Sequence, residues 1–112
     1  MHAQPAKIVR TFLGFEDHGI FTAQLTVDYG GSGQGVGGYN LSGDTGFGAA
    51  FIKAVLRAAG VDSWEKLTGR VVQVLLEDKG WGRAVGLEPM PFEPGERVIF
   101  ADLAQQAERT AS

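Results

Sequence analysis

The stretch Phe21–Tyr29, FTAQLTVDY, alternates without a fault. Phe21, Ala23, Leu25, Val27 and Tyr29 fall on one face, and Thr22, Gln24, Thr26 and Asp28 on the other. Successive side chains of a strand point to opposite sides. A period of two therefore predicts an antiparallel strand with one face in a core and the other in water. Upstream, Lys7–Gly14 carries Ile8, Val9, Phe12 and Leu13, the β-branched and aromatic content of a second strand. Glu16-Asp17-His18-Gly19 between them reads as a tight turn. Together the two runs predict a hairpin.

Downstream lies DYGGSGQGVGGYNLSGDTGFG, Asp28–Gly48, with nine of the chain's 17 glycines. Two readings stand. The stretch could be a binding loop whose backbone N–H groups cradle an anion, or a wide, bulged connection between strands. Gly33-x-Gly35-x-x-Gly38 matches GxGxxG, but Tyr39–Gly43 separates it from any helical pattern, so the dinucleotide-binding context is missing. No Lys-Ser or Lys-Thr follows the glycines, which excludes a phosphate-binding P-loop. Tyr29 and Tyr39 flank the stretch as binding groups or as packed strand residues. Val36–Leu41 is a candidate third strand, with Gly37 and Gly38 marking a bulge.

One helix is clearly written. Gly48, Phe51, Ile52, Val55, Leu56 and Ala59 follow helical spacing, with Asp44 or Thr45 as N-cap and Gly60 as the stop. A helix over Gly46–Ala59 is predicted to lie on the inner face of the sheet, its N-terminus beside the glycine stretch. Asp62–Leu67 reads as a single helical turn. Val71–Leu76 is apolar on both faces and predicts a central strand. Asp78-Lys79-Gly80 is a turn, and Trp81–Leu87 is the returning strand. Pro89–Gly95 is extended and proline-set, a connector over the surface. Phe100, Leu103, Ala104 and Ala107 mark a weaker helix within Arg97–Arg109. The expected fold is α+β: a mostly antiparallel sheet of four or five strands in the order β-β-β-α-β-β, with one main helix and a C-terminal helix. One domain spans residues 1–112, with residues 1–6 and 109–112 frayed.

Composition excludes several function classes. Net charge is −3, and no Lys/Arg cluster offers the phosphate contacts that nucleic-acid binding needs. No apolar run reaches a membrane span, and the N-terminus lacks a signal-peptide core, so a soluble cytoplasmic protein is expected. With no cysteine there is no disulfide, thiolate nucleophile or cysteine zinc site. None of the serines stands in a GxSxG elbow. Glu16, Asp17 and His18 form the one compact group of reactive side chains. They read either as metal or acid–base candidates or as a solvated turn. Two histidines are few for a metal site, and no metal, cofactor or catalysis is expected.

Two runs, GFEDHGIFTAQLTVDYGGSGQGVGGYNL (Gly14–Leu41) and GFGAAFIKAVLRAAGVDSWEKLTGRVVQV (Gly46–Val74), resemble a group of small bacteriophage and prophage proteins. The group shares a GxEDHGI turn followed by DYGGSGQGxGGY, and the likeness fades after about Leu87. The resemblance implies phage or prophage origin and a setting in the cytoplasm of an infected bacterium. It carries over no activity and no site residues. The reading that follows is a noncatalytic accessory protein that binds a host protein or pairs with itself as a homodimer. The alternative is a small-ligand-binding or sequestering protein using Tyr29, Gly33, Gly35, Gly38, Tyr39 and Asp44 with the helix N-terminus.

Overall fold

A computed structural model describes residues 1–78 and 82–111. The hairpin predicted from the alternating stretch forms from β1 (His2–Phe15) and β2 (Phe21–Asp28). Ala23, Leu25 and Val27 of β2 are buried, as their period demands. β3 (Gly33–Asn40) returns antiparallel along β2. After α1 (Phe47–Ala59) come a 3₁₀ turn at Trp64–Lys66, β4 (Val71–Leu76), β5 (Ala84–Pro89), β6 (Val98–Ile99) and α2 (Phe100–Ala111). The strands make one antiparallel sheet in the order β3-β2-β1-β4-β5-β6.

The fold class is α+β, with differences in detail from the sequence expectation. The sheet has six strands, not four or five; the addition is β6, which precedes the helical spacing that begins at Phe100. Within residues 1–6, where fraying is expected, His2–Ala6 pair with Val72–Leu76 of β4. The returning strand begins at Ala84, and the expected residues Lys79, Gly80 and Trp81 lie outside the described residues. At the C-terminal end α2 continues to Ala111, and Ser112 lies outside the described residues.

β1 organises the sheet because it serves two neighbours in turn. Its first half pairs with β4 through Lys7↔Val71, and its second half pairs with β2 from Lys7↔Asp28 to Phe15↔Phe21. Between Ile8 and Arg10 the register shifts, so Val9 is the extra residue of a bulge, where a strand bends and twists more strongly. The sheet curls so far that Tyr39 of β3 meets Phe100, which follows β6 at the opposite end of the strand order. Gln34 of β3 also donates from Nε2 to the Gly82 carbonyl before β5, at 3.0 Å.

The core fills the inside of this curl. Ala6, Ile8, Leu25, Val27, Val36, Val72, Val74, Leu76 and Leu87 meet Phe51, Ala54, Val55 and Ala58 of α1. Removing a Val, Leu, Ile or Phe side chain from water contributes roughly 1.5–3 kcal/mol. The N-cap is Gly46 in the left-handed region, not Asp44 or Thr45, although Thr45 Oγ1 accepts from the Phe47 N–H at 3.4 Å. At the other end Gly60 is left-handed, and the Val61 N–H returns to the Leu56 carbonyl at 3.0 Å, as in a Schellman stop. Arg70 Nε donates to the Ala59 carbonyl at 3.1 Å, placing a cation at the negative end of the helix. The connector expected over Pro89–Gly95 is not extended throughout: Pro89 ends β5, the Glu93 N–H closes a turn on the Met90 carbonyl at 3.0 Å, and the chain then meets this same helix end, with the Glu96 N–H on the Arg57 carbonyl at 3.1 Å. Among the described residues no helix is long and apolar enough to cross a membrane.

Candidate interaction surface

The glycine stretch forms a turn and a strand. Asp28 Oδ1 accepts from the Gly30 N–H at 3.0 Å, and the Tyr29 N–H reaches the Ser32 carbonyl at 2.8 Å, turning the chain into β3. Gly33 and Gly35 lie in the ladder opposite Asp28 and Thr26, and the Gln24 side chain occupies the space a Cβ on Gly35 would need. Gly38 is the extra residue of a bulge, because Ala23 faces Tyr39 while Gln24 faces Gly37.

The residues expected to form a ligand site do not converge. Tyr29, Gly33 and Gly35 belong to the turn end of the β2–β3 hairpin. Gly38, Tyr39 and Asp44 belong to its other end, where Asp44 is exposed in the approach to α1. The Tyr29 hydroxyl donates to Gln34 Oε1, whose amide holds the Gly82 carbonyl, so Tyr29 braces the curl of the sheet. Tyr39 joins Phe47, Phe51 and Phe100 in edge-on contacts with centroids 5.5–5.9 Å apart. Beside that cluster is a cleft of about 230 Å³ lined by Tyr39, Phe47, Arg83, Val85 and Phe100. Burial raises the Tyr39 phenol above its ordinary value, and the Arg83 charge pulls it partly back. Arg83 is also engaged with Glu77 at 3.1 Å.

Glu16, Asp17 and His18 sit exposed at the tip of the β1–β2 hairpin. The Glu16 N–H bonds the Ile20 carbonyl at 2.9 Å and the Gly19 N–H bonds the Glu16 carbonyl at 2.8 Å. Among the described residues no three His, Asp or Glu side chains are placed to share a metal ion.

What gathers at this tip is apolar surface. Phe12, Leu13, Phe15 and Ile20 are all exposed, Phe15 to 71%. Phe15 is covered only in part, by the Phe21 ring at 5.3 Å. The backbone beside them is also open. β4 leaves β1 at Val71, and the last bonds on that side join Ile8 to Gly69 and Arg70. Among the described residues none pairs with Arg10–Phe15 on the side away from β2.

Which groups face the opening follows from strand alternation. The Phe21 carbonyl accepts from the Leu41 N–H at 2.8 Å, so Phe21 directs its backbone groups away from β1. Its neighbour in register, Phe15, then directs its own away from β2, and so do Leu13 and Thr11 in their turn. Three residues thus offer unpaired N–H and C=O groups in a row, flanked by exposed aromatic side chains. Such an edge is a template for another strand. The sequence signal was the run Phe12-Leu13-Gly14-Phe15, which puts large apolar residues on both faces of a strand only one of whose faces meets the core. Comparison of the chain with protein-family models, curated proteins and solved structures gives no match.

Proposed function

We propose that this chain is a noncatalytic accessory protein of phage or prophage origin that acts in the bacterial cytoplasm by binding protein, through the open edge of β1. One observation carries the reading: Thr11, Leu13 and Phe15 present unpaired backbone groups amid the exposed side chains of Phe12, Leu13, Phe15 and Ile20. Addition of a strand to such an edge draws its affinity from main-chain hydrogen bonds and its selectivity from the alternating side chains. Four large apolar side chains exposed around one hairpin tip favour the same reading. The phage setting rests on the resemblance of Gly14–Leu41 and Gly46–Val74. A proline at Leu13 tests the reading, because the Leu13 N–H points into the opening and takes no part in the ladder with β2. Immobilised wild-type protein is expected to retain partners, further copies of itself included, that Leu13→Pro protein with an unchanged circular dichroism spectrum does not. Equal retention by both would remove the edge from consideration.

The second reading, sequestration of a small ligand, is favoured by the cleft between Tyr39, Phe47, Arg83 and Phe100. Its expected signature is extra mass in native mass spectra of the purified protein that vanishes on denaturation and on Tyr39→Ala.

A further inference from the structure

We propose that the occupant of the β1 edge is a second copy of the same edge, paired antiparallel about a two-fold axis that sets Leu13 opposite Leu13 of the partner. The inference rests on the edge-binding reading above and names its partner. Three features select this register.

The first is the parity of the backbone groups. Thr11, Leu13 and Phe15 are the residues whose N–H and C=O groups face outward, and a hydrogen-bonded antiparallel pair requires two such residues opposite each other. Registers that set an outward residue against an inward one fail. With Leu13 on the axis, Leu13 exchanges both bonds with its twin, and Thr11 does so with the partner's Phe15.

Charge is the second feature. Arg10 and Glu16 are both exposed, and neither makes an ion pair with another described residue; Glu16 directly follows β1, at the even spacing from Arg10 that strand alternation assigns to one face. The Leu13 register puts each Arg10 directly across from the partner's Glu16, and two-fold symmetry makes this pair twice. An axis at Phe12 would set Arg10 against Gly14, and one at Gly14 would set Phe12 against Glu16. An axis at Thr11 would demand pairing by Lys7, whose edge β4 already holds.

Shape is the third. The Phe12 ring lies over Gly14 in its own strand, within 3.5 Å of the place a Cβ would take. In the dimer each Phe12 faces the partner's Gly14, which leaves room for the two Phe12 rings to lie side by side across the axis. The ladder runs from Arg10 to Glu16, a close fit to the open stretch. The product is a continuous sheet through both copies, closing an edge that a lone copy leaves exposed.

Charge exchange tests the register. In sedimentation equilibrium the wild type is expected to be a dimer. Arg10→Glu and Glu16→Arg are each expected to weaken dimerisation about tenfold or more, since symmetry applies each change twice. The double variant Arg10→Glu/Glu16→Arg is expected to restore it. The chain has no cysteine, so Leu13→Cys supplies a single thiol, expected to form a disulfide-linked dimer under mild oxidation. A wild-type monomer at all concentrations would overturn the self-pairing. The edge reading would then still stand or fall on the Leu13→Pro comparison. A dimer indifferent to both charge reversals, or one in which Leu13→Cys fails to cross-link, would also overturn it by locating the interface elsewhere.

Discussion

The ring of Tyr39 stands edge-on to the ring of Phe100, with centroids 5.7 Å apart. One belongs to the first strand in the sheet order and the other follows the last. Their contact, with Phe51 of α1 touching both rings, makes α2 part of the core rather than an appendage. Phe100→Ala is therefore expected to cost about 3–5 kcal/mol in urea unfolding, comparable to Phe51→Ala. A loss under about 1 kcal/mol would mean that α2 adds little to the cooperative unit.

Gly37 and Gly38 are adjacent, both left-handed, with φ of 98° and 83°, yet they are expected to respond differently to alanine. At Gly38 a Cβ meets nothing within 4 Å, so Gly38→Ala bears only the backbone cost, roughly 1–2 kcal/mol. At Gly37 a Cβ would come within 2.8 Å of the Ala23 carbonyl and 3.1 Å of Phe51 Cζ. Overpacking then adds about 1–3 kcal/mol more. Denaturant midpoints of the two variants check the order, and equal losses would mean that both the Ala23 carbonyl and Phe51 give way freely.

This pair also marks how far the fold was legible from sequence. The alternation of Phe21–Tyr29 is local, and so is the helical spacing from Gly48 to Ala59; the strand forms over Phe21–Asp28 and the helix over Phe47–Ala59, each within a residue of its expected bounds. The sequence predicts the third strand from Val36 onward, but pairing with β2 draws Gly33–Gln34–Gly35 in as well, against the low strand propensity of glycine. The pairing of His2–Ala6 with β4 joins segments about seventy residues apart and leaves no local signal. β6 has two residues, too few for any period to be visible, and the helical spacing from Phe100 masked it. The apolar edge was hidden for a related reason. Phe12 and Leu13 read as ordinary strand content and Phe15 falls outside the predicted Lys7–Gly14 strand; their exposure arises because β4 stops at Val71 while β1 continues to Phe15.

Val9 keeps the two halves of β1 in their separate registers. Ile8 faces Val27, Arg10 faces Thr26, and Val9 faces neither. Deleting Val9 would force one half to slip by a residue. Either Ala6 and Ile8 leave the core or the faces of Thr11–Phe15 exchange. The deletion is expected to cost about 3 kcal/mol or more, read as a lowered Tm. A Val9→Ala change, at an exposed bulge position, is expected to stay within about 0.5 kcal/mol.

The two tyrosines give a pH signature. Burial raises both phenols above their ordinary value, and at Tyr39 the nearby Arg83 opposes the rise. A raised phenol pKa means that the folded chain holds its proton more tightly than the unfolded chain. The unfolded chain therefore releases protons first as the pH climbs past about 10. Stability from this source is full below that pH and is lost as pH rises through the higher folded values. Phenolate absorbance is expected to appear later in the folded protein than in urea, and the denaturant midpoint to fall over the same alkaline window. Arg83→Gln removes the opposing charge and is expected to delay ionisation of Tyr39 further without moving Tyr29, which Tyr39→Phe isolates. An unchanged absorbance profile in Arg83→Gln would mean that Arg83, held by Glu77, does not act on the Tyr39 phenol.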